Sequence, residues 1–397
     1  MRRAILASLM LLLAAPTAPA AAQAPETSDV AHTPGLAAIV KAARENRSSA
    51  LVVLQNGQTE IERHWGQSAM DVYPLMSATK SVAALAVGRM LQQGHLKSLD
   101  TPLATWFPEL KKGTKAKITL RHVLTQTTGL DHLPRLAPRG RPADRLAVVL
   151  SLPQITEPGT EFDPNSEAIP LIGGVVRKVV GIPLDRYLDQ AIFQPLGIRN
   201  WLWSKDKSGM PDSEEGLYMT ARDFAMIGQL MLQDGRWGDR QLIPGSFVEE
   251  AVTPHAPSKH HGYMWWAKTQ GRQTPQSLAR VEKAGFKAIR KLDALNGKVF
   301  YSERQYVEAA RAVLTPDEFE QLHDLIGYGL NDPLDDTPDP DVAYLSAAEL
   351  GQQLVVLPKA QVVGVRLRAF PGADFDHGTD EDTFDEFRAM LPAYYYP

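Results

Sequence analysis

The chain has no cysteine among its 397 residues, which excludes a disulfide framework and a lipid-anchored N-terminal cysteine. It has little excess of either charge. With 42 Lys and Arg against 46 Asp and Glu the formal balance is −4, too mild to indicate a nucleic acid or an anionic membrane as partner, and no basic cluster departs from this. Long hydrophobic runs are missing as well: the only one, Ala4 to Ala15, is too short to span a bilayer. No H-E-x-x-H occurs, and His260 and His261 are adjacent rather than one helical turn apart. Metal hydrolysis is therefore unsupported, no cofactor is indicated, and the two histidines read as loop residues ahead of a strand. The absence of G-x-S-x-G argues against a Ser-His-Asp hydrolase of the α/β type. The acidic run "DFDHGTDEDTFDE" lacks calcium-loop spacing, since its glycine follows His377; it reads as a solvated loop leading into a short C-terminal helix.

What is present begins with "MRRAILASLMLLLAAPTAPAAAQA": two arginines, the apolar run, then small residues through Ala20, Ala21 and Ala22. This pattern is a secretory signal peptide over residues 1–22, with cleavage before Gln23, and it predicts a periplasmic or secreted product. Loss of Arg2 and Arg3 with it would take the balance from −4 to −6. About 375 residues remain, enough for one large composite domain or two smaller ones, and their stability must come from the core.

"SALVVLQNGQTEIERHWG" has two β-type runs joined at Asn56-Gly57, a hairpin signal. From about residue 95 to 250 the chain reads as a helical lobe. "TLRHVLTQTTGL", "IPLIGGVVRKVVG" and "TARDFAMIGQLMLQDG" have helical spacing and close on glycine. Strand signals return in "HGYMWWAKT" and in "GQQLVVLPKAQVVGVRLRAF", which turns at Pro358-Lys359-Ala360. The ends thus supply an antiparallel sheet and the middle a helical lobe, an α+β organisation. Between about 269 and 341 lies a stretch rich in charge and helix formers, with capping boxes at Ser302/Gln305 and at Thr315/Glu318, the latter followed by Pro316. It reads as an inserted helical subdomain, either packed on the sheet edge or lying over the active site.

In "PLMSATKSVAAL" a hydroxyl and an amine stand at i and i+3 within an otherwise apolar run. On a helix Ser77 and Lys80 share one face. A helix apolar all round is central to a domain, and burial lowers the pKa of lysine, which would make Lys80 a base for the Ser77 proton. The same spacing also fits an ordinary first turn with Lys80 reaching to the surface.

The chain resembles the serine β-lactamase-like superfamily, which joins class C β-lactamases, penicillin-binding proteins, esterases and 6-aminohexanoate-dimer hydrolases. The likeness rests on Ser77-x-x-Lys80 together with "YPLMSATKSVAALAVGRMLQQGHLKSLDTPLATWFPEL", "ITLRHVLTQTTGLDH", "PLDRYLDQAIFQPLGIRNWLW", "GLYMTARDFAMIGQLMLQDGRWGDRQLIP" and "GQQLVVLPKAQVVGVRL", in the family's order over most of residues 45–370. The resemblance implies a β-lactamase-like serine hydrolase domain over 23–397: an antiparallel sheet flanked by helices beside an all-helical lobe, with the nucleophile at a helix start between them. It implies acyl transfer on a small ester or amide, with Ser77 as nucleophile, Lys80 as base and no cofactor. The Ser77 amide would be one oxyanion donor, where a helix N-terminus offers N–H groups and partial positive charge. The other is placed near Glu349, with Ala348 as the small residue that admits substrate. No oligomeric state is implied.

Two positions depart from the family pattern. Where β-lactam-recognising members carry a Lys-Thr-Gly triplet, the matching residues are Ser346, Ala347 and Ala348; nothing cationic is there, which favours a neutral ester or amide. In "PGTEFDPNSEAIPLIG", Phe162, Asn165, Ser166 and Gly173 are in register, which puts Ser166 among the substrate-binding residues, but the position of the family tyrosine is Pro164. Proline has no side-chain proton to exchange, so the relay is incomplete as written and impaired turnover is expected. Tyr218 and Tyr263 are candidates to replace the phenol, and no spacing selects between them. The competing reading is a non-catalytic binding protein for cell-wall peptides or acylated fragments.

Overall fold

A computed structural model describes residues 34–132, 143–164, 167–258, 260–267, 269–300, 303–326, 333–338, 344–370 and 387–395. The expected signal peptide, Asn165, Ser166, Ser302 and the acidic run at 374–386 lie outside the described residues.

The described residues open with helix α1 (Pro34–Glu45) and the hairpin β1 (Ala50–Gln55) and β2 (Gln58–His64). Asn56 and Gly57 both take positive φ, 51° and 75°, the geometry of a two-residue turn that matches strand twist. Next come β3 (Tyr73–Pro74) and α2 (Ala78–Gln92). The lobe then supplies α3 (Leu120–Leu124), α4 (Arg145–Ser151), α5 (Pro170–Val179), α6 (Leu184–Leu188) and α7 (Gln194–Leu196). After β4 (Trp201–Trp203) and β5 (Leu217–Met219) follow α8 (Ala221–Leu232), the short ribbon β6 (Arg236–Trp237) with β7 (Arg240–Gln241), α9 (Gly245–Val252) and β8 (Trp266–Ala267).

The segment after β8 contains β9 (Thr269–Arg272), α10 (Pro275–Lys283), α11 (Ile289–Leu292), β10 (Val299–Phe300), α12 (Glu303–Val313), α13 (Pro316–Ile326) and β11 (Asp335–Pro338). It carries a three-stranded sheet of its own in the order β10-β9-β11 as well as helices. Its apolar residues, among them Leu278, Val281, Leu292, Tyr306 and Leu322, form a separate core. At the start of α13 the Thr315 amide donates to Glu318 Oε2 at 2.8 Å, while the Glu318 amide donates to Thr315 Oγ1, a reciprocal cap. The chain returns through β12 (Tyr344–Ala348), β13 (Gln352–Leu357), β14 (Val362–Leu367) and α14 (Phe387–Tyr395).

The main sheet has six strands in the order β2-β1-β14-β13-β12-β8, antiparallel at every junction. Helices cover both faces. Leu51, Val53, Val355 and Leu357 pack with Leu36 and Ile39 of α1 and Leu391 of α14; Val52, Leu54, Leu354, Val356 and Val363 join the larger core containing α2 and α8. This explains why "ALVVL" and "QLVVL" lack alternation, since strands buried on both faces are apolar throughout. On α8 a Cβ at Gly228 would stand 2.6 Å from Val363 Cγ1, so glycine lets the helix lie flat on β14. Two runs are shorter than their sequence patterns suggest. In "TLRHVLTQTTGL" only Leu120–Leu124 is helical, because Gln126 turns left-handed at φ 55°. In "HGYMWWAKT" only Trp266–Ala267 is strand, because Met264 also turns left-handed at φ 61°.

Candidate active site

Ser77 is the N-cap residue of α2, with φ −60° and ψ −14° and no hydrogen bond from its side chain into the helix. The residue before it, Met76, has φ 49°, a conformation costly for a side-chain-bearing residue that is kept only where its surroundings enforce it. The enforcement comes from β5. The Leu75 amide donates to Leu217 O at 2.8 Å and the Leu217 amide donates to Thr79 Oγ1 at 3.2 Å. The elbow is thus stitched to one strand on both sides of Ser77.

Lys80 lies one turn on and is partly buried, whereas Ala78, Thr79, Ser81 and Val82 around it are fully so. Burial holds its ammonium below the ordinary 10.5, against the upward pull of Glu215, Glu167 and Asp163 and with a smaller downward push from Arg145. Among the described residues no hydrogen bond joins Lys80 Nζ to Ser77 Oγ. The outward-reaching alternative for Lys80 does not hold: its amine is held by burial, and Glu215, Glu167, Asp163 and His261, from three loops, are within electrostatic reach of it.

Each loop is anchored. The first carries Asp163 and Pro164. The Asp163 amide donates to Gln126 O at 2.9 Å, and Gln126 Nε2 donates to Pro164 O at 2.9 Å. The Pro164 side chain is exposed. Asp163 pairs with His132 at 3.2 Å. The second loop presents Glu215. Arg145 pairs there with Asp212 at 3.3 Å and with Glu214, and its amide donates to Asp206 Oδ2 at 2.9 Å. Gly216 is required in this loop, because a Cβ would meet Ser204 Oγ at 2.5 Å and Asp212 O at 2.7 Å.

The third is the turn from His261 to Trp266. Ser81 Oγ donates to Met264 O at 2.6 Å and the Met264 amide donates to Leu124 O at 3.1 Å, which fixes the turn against the Lys80 stretch of α2. His261 is 2% exposed, its ring 5.1 Å from Phe162 and 4.9 Å from Trp266. Burial and then the nearby Lys80 charge lower its pKa to about 3, so its imidazole is neutral in ordinary buffers. His261 is a loop residue ahead of β8, as its sequence position predicts, and it is buried. The apolar and aromatic residues that follow it were the only signal that it is buried.

The return strand reaches the elbow through Gln352, whose Nε2 donates to Pro74 O and to Arg368 O, both at 2.8 Å. Gln352 lies opposite Ala348 across the hairpin. Ala348 therefore ends β12 beside the strand that leads into Ser77, and the turn Glu349–Gly351 follows it. Ser346 is fully buried on β12 and its Oγ has no hydrogen-bond partner among the described residues. The turn is pinned by the buried Arg366, whose Nη1 donates to Leu350 O at 2.6 Å and to Gly351 O at 2.9 Å.

The two tyrosines differ in placement. Tyr263 is fully buried with its hydroxyl engaged by Arg121 and Glu250 and its ring stacked on His255 at 4.7 Å; burial and the Glu250 bond raise its pKa. It belongs to that network and not to the Ser77 cleft. Tyr218 lies on β5 opposite Pro74 and is half-buried, close to the elbow in the chain path, with no contact to Lys80 recorded among the described residues.

The family model described as Beta-lactamase matches residues 36–367. Esterase EstB from Burkholderia gladioli is 33% identical over 150 residues, 32% of this chain and 38% of that protein. The 6-aminohexanoate-dimer hydrolase of Paenarthrobacter ureafaciens is 23% identical over 265 residues, 56% of this chain and 64% of that protein. These matches span less than two thirds of the relatives' lengths. Among solved structures, a penicillin-binding protein from Bacillus halodurans superposes with a TM-score of 0.54 at 16% identity, covering 83% of this chain and 94% of that one. The match over 36–367, on a sheet flanked by helices with Ser77 at a helix start, makes this chain a member of the Beta-lactamase family.

Proposed function

We propose that this chain is an exported serine hydrolase that cleaves a small ester or amide through an acyl-enzyme on Ser77. The observation that carries the reading is the elbow: Ser77 at the N-terminus of a buried helix after a left-handed Met76, with a partly buried lysine of lowered proton affinity one turn away. Lys80 takes the Ser77 proton as Oγ attacks the carbonyl carbon. The developing oxyanion meets the amides of Ser77 and Glu349, the first strengthened by the partial positive charge of the helix end. Water then releases the acyl group. The names of the relatives, an esterase and an amide-cleaving dimer hydrolase, support the substrate class. The lack of a cation on Ser346, Ala347 and Ala348 supports a substrate without an essential carboxylate. Export rests on residues 1–22; secreted material should begin at Gln23, and an intact Met1 by mass spectrometry would contradict it.

The test is hydrolysis of p-nitrophenyl esters of short acyl groups by the wild type and by Ser77→Ala. The reading expects turnover that disappears in the variant. Pro164, exposed where the family has tyrosine, favours the second reading, a binder of cell-wall peptides or acylated fragments. Saturable binding of such fragments with no ester turnover by wild type would establish that reading instead.

A further inference from the structure

Glu167 stands three residues after Pro164 in the same loop, just before α5. Its neighbours Ala168 and Ile169 are 1% and 0% exposed, and the Leu171 and Ile172 amides donate to their carbonyls at 3.0 Å. The backbone that carries Glu167 is therefore held by the core, and α5 packs directly on α2. The carboxyl is half-buried, and among the described residues it makes neither a hydrogen bond nor an ion pair. Lys80 Nζ is in the same condition. Two half-buried groups, an amine on α2 and a carboxyl just before the α5 that packs on it, each without a direct partner among the described residues, thus lie within electrostatic reach of each other one turn from Ser77. Such an arrangement costs stability, and active sites are where that cost is retained.

We propose that Glu167 is the general acid of this enzyme, doing with a carboxyl the work that Pro164 cannot do. The proposal rests on the Ser77 reading. Neutral Lys80 accepts the Ser77 hydroxyl proton while Oγ bonds to the carbonyl carbon. As the C–N or C–O bond of the substrate breaks, protonated Glu167 gives its proton to the departing nitrogen or oxygen. The Lys80 ammonium then passes its proton to the Glu167 carboxylate, which restores both groups. Burial raises the proton affinity of Glu167, with Glu215 adding to it and Arg145, His132 and Lys80 opposing. Burial lowers that of Lys80. The two affinities move toward each other, which makes the last transfer less uphill than between the free side chains.

The experiment compares Glu167→Gln with wild type on a p-nitrophenyl ester and a p-nitroanilide of the same acyl group, alongside the labelling rate with a fluorophosphonate. An amine must be protonated as it leaves, whereas nitrophenolate and fluoride need no proton. Anilide kcat/KM should fall about a hundredfold or more, the ester less than about tenfold, and the labelling rate should change little. Glu167→Asp, which keeps the acid on a shorter stem, should lose anilide activity selectively but less, and it serves in place of the glutamine variant if that fails to fold. Equal losses on anilide and ester, or none, would overturn the role of Glu167 while leaving Ser77 untouched. Wild-type turnover that survives in Ser77→Ala would instead overturn the reading on which it rests.

Discussion

Replacing Arg366 by methionine separates the support of the oxyanion turn from the chemistry itself. Arg366 is fully buried in β14 and donates to Ser48 Oγ at 2.8 Å, Asn46 O at 2.6 Å, Leu350 O at 2.6 Å and Gly351 O at 2.9 Å. Methionine fills similar space but donates nothing. Each buried acceptor stranded by the change costs about 1–3 kcal/mol, while removing a buried cation recovers several kcal/mol of desolvation. The balance is a loss of about 3 kcal/mol, or about 5 °C in the unfolding midpoint of a chain this size. The functional loss should be larger than the stability loss implies. Leu350 and Gly351 both hold positive φ, 63° and 68°, and they follow directly on Glu349, whose amide is the proposed second oxyanion donor. A loosened turn misplaces one of two oxyanion donors, and kcat for an activated ester should fall at least about tenfold at a temperature where the variant is fully folded. Thermal unfolding by circular dichroism and steady-state kinetics at 20 °C measure the two effects. An Arg366→Met protein with lowered stability and full turnover would refute the placement of the oxyanion donor at this turn.

Three further outcomes follow from the same geometry. Lys80→Met should abolish turnover yet raise stability wherever the folded wild type carries the ammonium: the folded-state pKa lies below 10.5, so the gain in midpoint is fullest below that folded-state pKa and should shrink as pH climbs through it toward 10.5. Gly216→Ala should destabilise by about 1–3 kcal/mol, because its Cβ would press on Ser204 and Asp212 in a loop pinned by Arg145; an unchanged midpoint would show that the loop yields. Pro164→Tyr should alter anilide kcat/KM by less than about threefold if Glu167 already supplies the acid, whereas a gain of tenfold or more would show that the relay is missing in the wild type.

The parts of the fold written in local chemistry were legible from sequence. Asn56-Gly57 names its own turn, Pro316 after Thr315 names its helix start, and the double-sided burial of β1 and β13 shows as unbroken apolar runs. Ser77 and Lys80 could be paired because one helical turn joins them. The remainder of the site could not be found this way, since Asp163 and Glu167, Glu215, and His261 come from three different loops whose meeting is decided by tertiary bonds such as Ser81 to Met264 and Arg145 to Asp212. Spacing between residues 80 and 215 carries no information about distance. Tyr263 illustrates the converse, because a plausible residue type in a plausible block is fully occupied by Arg121 and Glu250. The small sheet of the 269–338 segment was hidden because β9 and β10 are two to four residues long and lie among strong helix formers.

The central claim is that Ser77 is a nucleophile activated by its elbow and by Lys80. Its most direct test is intact-protein mass spectrometry after brief exposure to a fluorophosphonate at neutral pH, followed by peptide mapping, on wild type and Ser77→Ala. The account predicts a single stoichiometric adduct on the peptide containing Ser77 in the wild type and none in the variant. An unlabelled wild type, or equal labelling of Ser77→Ala, would contradict it.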